Sequence, residues 1–200
     1  MSPRTLLELA GVTALPARLS DTVLVVIDAQ QEYVDGLLPL PGIDGALDQI
    51  GILLERARKL GTPVIHVVHH GRTSGGPFAP GSRGVEIASP AAPAPGEPVV
   101  TKSLPNAFAS TDLADRLHAL HRSSLTIAGF MTHMCVEATA RAAIDLGLKA
   151  AVVASATTTR DLRDPLSGAV IPAAEVHRNA LAALSDRFAT IVASCDRLDD

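Results

Sequence analysis

Three residues in this chain have types and positions that can do chemistry together: Cys135, Asp28 and Lys102. Cys135 lies in the stretch from Leu125 to Gly147, LTIAGFMTHMCVEATARAAIDLG, where one pattern hands over to another. Leu125 to Ala128 is an apolar run with the length of a buried strand. Gly129 interrupts it, and the period changes from about Met134. Val136, Ala140, Ala143 and Ile144 then mark the inner face of a helix, with Glu137, Arg141 and Asp145 outside. Gly147 is expected to close that helix in a left-handed conformation. Cys135 thus falls in the first helical turn, where free amide N–H groups and the helix dipole favour a thiolate. Taken by itself it reads slightly better as a small buried apolar side chain.

Asp28 ends the apolar, β-branched run of VLVVIDAQ, and Lys102 follows the candidate strand from Pro98 to Thr101. Residues at the carboxyl ends of strands in an open parallel α/β sheet converge on one crevice. An Asp, a Lys and a Cys brought there supply a proton acceptor, a cation and a nucleophile. The structural alternatives are a strand-end Asp capping a turn, a solvated Lys and a buried Cys.

The remaining elements must hold these three in place. Leu6, Leu7 and Leu9 suggest a short helix or arm in residues 1–20, ahead of a single domain over 21–200. Leu47, Ile50, Leu54 and Ala57 mark a helix face, with Glu55 and Lys59 paired outside. Gly61 and Pro63 end that helix and lead into a second strand, PVIHVVHH. Thr111 or Asp112 caps a helix with Leu113, Leu117 and Leu120 inward. Ala150 to Ala154 reads as a fifth strand, followed by the polar segment SATTTRDLRDP. The last helix runs from Ala173 to Leu184 behind Pro172, with Val176 and Ala180 inward, and Phe188 to Ala193 is the last strand. Strands alternating with helices imply right-handed crossovers and a parallel sheet covered on both faces. Residues 71–97, rich in Gly, Pro, Ser and Ala, form a long connection between two site-bearing strands. It reads either as a lid or rim over the pocket or as an ordered meander.

Composition narrows the function classes. The chain has 200 residues, 47% of them hydrophobic, which is enough for a full core. Its formal net charge of −4 argues against nucleic acid as the main partner. No apolar run reaches the roughly 20 residues that span a bilayer, and the N-terminus makes a poor signal peptide. Its 2 cysteines supply no disulfide framework. A cytoplasmic protein is the expectation.

Three blocks carry a resemblance: IDAQQEY (27–33), VVTKSLPNAF (99–108) and GFMTHMCVEATARAA (129–143). In this order and at these separations the chain resembles the isochorismatase-like cysteine hydrolases, from about Leu19 to Ser194. That superfamily includes nicotinamidases, N-carbamoyl-amino-acid amidases and ureidoacrylate hydrolases. The resemblance implies a single-domain, three-layer α/β/α fold with a six-stranded, mostly parallel, Rossmann-like sheet. It assigns Cys135 as nucleophile, Asp28 as the group that takes its proton, and Lys102 as the cation that holds both and lowers the thiol pKa. It also places a cis bond at Phe130–Met131 and an oxyanion hole at the backbone N–H groups of Met131 and Cys135. The activity implied is cleavage of a C–N bond in a small amide, carbamoyl or ureido compound. Vinyl-ether hydrolysis on the Asp, and a catalytically silent oligomeric binding protein, are the alternatives. No cofactor is expected, and relatives form dimers, tetramers or larger rings.

The histidines and aromatics are less directive. His66 and His70 share a face of the second strand and His69 points the other way. The Asp-x-His pattern of metal-using relatives is missing from HHGRTSGGPF, so no metal is expected. His133, where many relatives carry Asp, reads equally as a contact to substrate or a neighbouring subunit and as a plain surface histidine. Tyr33, Phe78, Phe108 and Phe130 fall beyond strand ends or in the 71–97 segment, and read either as pocket walls or as plugs under loops. Gln30 joins them as a candidate substrate-site residue that orients its surroundings by hydrogen bonds. Arg83 and Glu86 are candidate contacts or solvated loop charges.

Overall fold

The computed structural model describes residues 2–200. In chain order its helices and strands begin with α1 (Leu6–Leu9), β1 (Val23–Ile27), α2 (Ile43–Leu60), β2 (Val64–His69) and β3 (Val99–Lys102). They continue with α3 (Leu113–Ala119), β4 (Ser124–Phe130), α4 (Glu137–Asp145) and β5 (Lys149–Thr158). Last come a short ribbon of β6 (Leu162–Arg163) and β7 (Val170–Ile171), then α5 (Ala173–Arg187) and β8 (Ala189–Val192). The central sheet has 6 strands in the order β3-β2-β1-β4-β5-β8, and every neighbouring pair in it is parallel.

The continuous apolar runs make sense once the sheet has helices on both faces, because alternate side chains feed two different cores. Leu24 and Val26 of β1 point into one core with α2 residues Ile50, Leu53, Leu54 and Ala57. Val23, Val25 and Ile27 point into the other, against Leu113 and Leu117 of α3, Ala140 and Ala143 of α4, and Leu184 of α5. Burying each such Val, Leu or Ile stabilises the fold by about 1.5–3 kcal/mol. The layers therefore stack as one helix, the sheet, and three helices, as expected for a single α/β domain.

Several boundaries differ from the sequence reading, each for a local reason. β4 does not stop at Gly129 but runs through it to Phe130. Gly129 sits at φ 117°, where a Cβ would stand 1.9 Å from the Ile27 carbonyl oxygen, so it is what lets β4 lie close against β1. β5 likewise runs past Ala154 to Thr158; after an irregularity in the pairing, Thr157 and Thr158 pair with Gly129 and Phe130. The polar appearance of that segment hid its β-branched threonines. α5 continues to Arg187. Leu120 is not inward but more than a third exposed. Thr111, not Asp112, supplies the side-chain oxygen to α3, accepting from the Leu113 N–H at 3.3 Å. Gly147 closes the Cys135 helix as expected, at φ 73°, with its N–H donating to the Ile144 carbonyl at 3.0 Å.

Residues 71–97 form an ordered rim. They contain two short 3-10 turns, Arg83–Val85 and Ser89–Ala91, and bury Phe78, Ala79, Ala88 and Ala91. Two backbone bonds, Gln31 N–H to Glu86 O and Ala88 N–H to Ala29 O, both 2.8 Å, tie this rim to the chain just beyond β1. At the N-terminus, α1 is closed by a capping box of Thr5 and Glu8 and docks on α5 through Leu6 N–H to Asp186 Oδ1 at 2.8 Å. No helix among the described residues is long and apolar enough to cross a membrane.

Candidate active site

Three strands of the sheet, β1, β3 and β4, lead to the three reactive residues. Beyond β1 the backbone turns at Asp28 through a left-handed φ of 51°, a conformation Asp tolerates better than most side chains, and its N–H is held by Val67 O at 2.8 Å. Lys102 is the last residue of β3. From β4 the chain enters a π-helical turn, Thr132–Val136, before α4 begins, and Cys135 sits in that turn. A π turn places one extra residue in the coil, so Cys135 is displaced from the ordinary first turn of an α-helix read from the sequence.

Lys102 Nζ stands at the centre. It lies 2.7 Å from Asp28 Oδ2, 3.2 Å from Cys135 Sγ and 3.3 Å from His69 Nδ1. An ammonium has three protons, and each has one of these acceptors to face. The contact to Asp28 is an ion pair off the alignment of a hydrogen bond, and neither carboxylate oxygen has an aligned donor. All three reactive groups are nearly sealed, with 0% of Asp28, 2% of Lys102 and 5% of Cys135 exposed.

The electrostatics correct one expectation. Burial pushes the Cys135 thiol up, the Asp28 charge adds to that, and Lys102 opposes it, leaving the thiol at about 12. The resting cysteine is therefore a thiol, not the thiolate that the helix-terminus argument suggested. Burial also raises Asp28, against the ion pair with Lys102. The two groups share one cation: moving a proton from Sγ to the carboxylate relocates a negative charge beside Lys102 without changing the total. His69 is pushed down to about 4 by burial and then by Lys102. It is a neutral imidazole whose Nδ1 accepts from the ammonium, which leaves the hydrogen on Nε2.

The other candidate residues separate into those near this centre and those elsewhere. Gln30 is fully buried, and its amide is spent on protein. Its Oε1 accepts from His69 N–H at 2.8 Å, and its Nε2 donates to His69 O at 3.0 Å and to Val85 O at 2.9 Å. Gln30 therefore straps the ends of β1 and β2 to the rim and does not face substrate. Tyr33 packs edge-on against Phe78 and Phe130, at 5.2 and 5.9 Å between ring centres, and Phe78 meets the His69 ring at 5.1 Å. Phe108 is apart from these rings but on the Cys135 side: it is half-buried against the core that includes Cys135, Val136 and Ala140. His133 is half-buried, with Nδ1 hydrogen-bonded to Thr159 Oγ1. Of the remaining candidates, Arg83 pairs with Asp35, and His66 pairs with Glu97 at 2.9 Å, below the site. The described residues contain no cluster of three or more His, Cys, Asp or Glu able to hold a metal.

Sequence reasoning gave His69 no role, and it missed Glu32. Glu32 is buried; its Oε1 accepts from Leu37 N–H at 2.7 Å and its Oε2 from Phe78 N–H at 3.2 Å. It anchors the rim, and Gly84 leaves the room it needs, since a Cβ there would stand 2.2 Å from Glu32 Oε2. The available signal was an acid within the IDAQQEY block, close behind Asp28. A surface hollow of about 820 Å³ opens at the other end of the strands, between Thr5, Leu7, Glu8 and Ile191, and carries none of this chemistry.

The Phe130–Met131 bond is cis. The carbonyl of Met131 accepts from the N–H groups of Met134 at 3.0 Å and Val136 at 3.3 Å, which folds the turn back around Met131 and Cys135.

With this geometry in view, comparison with known proteins gives the family. The isochorismatase domain matches residues 22–196. A secreted isochorismatase effector of Verticillium dahliae is 36% identical over 94% of this chain and 96% of its own length. Maleamate amidohydrolase of Pseudomonas putida is 32% identical over 65% of this chain and 68% of its own. The crystal structure of an isochorismatase from Pseudomonas putida superposes with a TM-score of 0.91 at 41% identity, covering 96% of this chain and 97% of that one. The chain belongs to the isochorismatase family of hydrolases.

Proposed function

We propose that this protein is a metal-independent cysteine hydrolase that cleaves a C–N bond of a small amide, carbamoyl or ureido compound through a thioester. One observation carries the reading: a single buried ammonium touches both a carboxylate and a thiol, Lys102 to Asp28 at 2.7 Å and to Cys135 at 3.2 Å. In this scheme Asp28 takes the Sγ proton as the carbon–sulfur bond forms. The oxyanion is held by the N–H groups of Met131 and Cys135. Asp28 then protonates the departing nitrogen as the C–N bond breaks. Water attacks the thioester, Asp28 accepts its proton, and the thiol is regenerated. The raised value of Asp28 supports this order, because a carboxylate that resists ionisation is a better acceptor for a thiol proton, while the raised thiol works against it.

Arg160 narrows the substrate. Its Nε is buried with no hydrogen-bond partner among the described residues, and its charge is felt at Tyr33 and His133. An amide that also carries an anionic group would occupy that guanidinium. The relative named maleamate amidohydrolase acts on such a compound.

The test is ammonia release from nicotinamide, N-carbamoyl amino acids, ureido acids and a cyclic amide, for wild type and Cys135→Ala, with and without EDTA. Cysteine-dependent, EDTA-resistant release from the acidic members is expected. Full activity in Cys135→Ala would overturn the thioester and favour chemistry on Asp28 alone. We further propose a homo-oligomer, supported by Leu166, 95% exposed in the turn between β6 and β7, and Val170, 68% exposed on β7; a monomeric mass by light scattering would refute it. We place the activity in the cytoplasm on the strength of two unpaired cysteines, and recovery of the protein from culture medium would overturn that.

A further inference from the structure

Thr132 opens the π turn that carries Cys135, and it is fully buried. Its hydroxyl has one proton to give. Oγ1 lies 3.0 Å from Thr158 O on β5 and 2.9 Å from His177 Nδ1 on α5. A carbonyl oxygen only accepts, so the Thr132 proton goes there, and Nδ1 of His177 must carry a hydrogen and donate it to Oγ1. The network thus fixes the His177 tautomer. Because imidazolium also carries that hydrogen, the bond survives protonation of the ring.

His177 is half-buried and has no part in the proposed proton transfers. The residue it grips stands between the two proposed oxyanion donors, one after Met131 and three before Cys135. The next residue, His133, is tied to Thr159. The turn is therefore fastened to β5 and α5 on one side, while Lys102 reaches Cys135 from β3. Backbone donors contribute to catalysis only when they are aimed before the reaction begins.

We propose that His177 is a positioning residue: by donating to Thr132 it fixes the π turn that aims the Met131 and Cys135 amides, and Sγ itself, at the reacting carbonyl. This rests on the cysteine-hydrolase reading above. A misplacement of about 1 Å at a catalytic group can cost on the order of 100-fold in rate. Removing the donor is therefore expected to lower kcat by about 10- to 100-fold with little change in KM.

The test compares His177→Leu, His177→Asn, His177→Gln and Thr132→Val in the full chain. Asn places an amide donor near the position of Nδ1, whereas Gln places it near Nε2, out of reach of Thr132. Two readouts run in parallel: ammonia release over the amide panel, and alkylation of the Cys135 peptide by iodoacetamide, followed by mass spectrometry as a function of pH. The expected result is an equal loss in His177→Leu, His177→Gln and Thr132→Val, recovery in His177→Asn, and no added loss in the Thr132→Val/His177→Leu double variant. Alkylation should change by about tenfold in the same pattern, and it decides the matter if the wild type turns over nothing on the panel. Unchanged rates in His177→Gln and Thr132→Val, or losses that add in the double variant, would overturn the proposal. Loss in His177→Asn equal to that in His177→Gln would reduce His177 to packing. Turnover that survives Cys135→Ala would sink the parent reading instead, so the two failures are distinguishable.

Discussion

Two carboxylates lie against the same pair of strands, β2 and β3, at opposite ends, and they have opposite fates. Glu97 precedes β3. It accepts from Arg58 Nε and Nη2 at 2.8 and 2.9 Å, from Ala94 N–H at 2.8 Å, and from His66 Nε2 at 2.9 Å. Burial acts to raise it, but these donors outweigh burial and hold it down at about 2. Asp28, beyond β1 at the other end, has the Lys102 charge but no aligned donor, and burial wins. The same functional group is a staple in one place and a proton acceptor in the other. What separates them is how many donors the fold supplies, since a buried carboxylate is content only when its lone pairs are filled.

That contrast can be broken at either end. The largest effect is expected from Asp28→Asn, which removes the proton acceptor and should cut turnover by about 100- to 10,000-fold. The same substitution should speed alkylation of Cys135 at pH 8 by about tenfold, because the Asp28 charge helps to keep the thiol up while Lys102 remains. Turnover and thiol reactivity would then move in opposite directions; if both fell, the assignment of Asp28 would be wrong. Next in size is stability. Lys102→Met alone strands a buried carboxylate and should cost roughly 3–5 kcal/mol, whereas Asp28→Leu with Lys102→Met should be as stable as wild type or more so, and inactive. Urea unfolding of the three proteins measures it, and a double variant several kcal/mol weaker than wild type would remove the idea that stability is given up for chemistry here.

Glu97→Gln should leave kcat unchanged and lower stability by about 1–3 kcal/mol at neutral pH. Because the folded value of Glu97 lies below its ordinary 4.5, its contribution is fully present above that pH and is lost as pH falls toward about 2. Wild type should therefore lose its advantage over the Gln variant across that window, by up to roughly 3 kcal/mol. A parallel acid limb in both proteins would contradict the staple. The smallest effect is expected from Gln30→Leu, about 1 kcal/mol in stability, with faster proteolysis of the 71–97 rim as the more sensitive readout.

Much of this was legible before any coordinates. The β-branched runs ending at Asp28 and near Lys102, and the switch of period around Cys135, follow from side-chain size and spacing and point to a parallel sheet with helices on both faces; the six-stranded order and the roles of the three residues rest on the resemblance. What was hidden depends on contacts distant in sequence. Gln30 matched a family position and was read as orienting its surroundings by hydrogen bonds; which groups it binds was hidden, since its three backbone partners come from β2 and the rim. His69 gave no signal, since its meaning comes from Lys102 one strand over. Phe108 shared a position with the other aromatics beyond strand ends, yet it packs on the core that holds Cys135 and not with the Tyr33, Phe78 and Phe130 rings. The thiol's ionisation was misjudged because a helix start argues locally, whereas burial and Asp28 act through the whole centre.

Gly129 carries a consequence for variation. The absent side chain lets β4 rest against the carbonyl of Ile27, one residue before Asp28, while the same strand leads to Cys135. The gap between acceptor and nucleophile is thus written into a backbone contact that no larger residue can share. Descendants of this sequence can retune the pocket through the rim or the β6–β7 ribbon, but not by spacing these two strands differently. In a saturation library, position 129 should be a column with one surviving letter, however freely its neighbours drift.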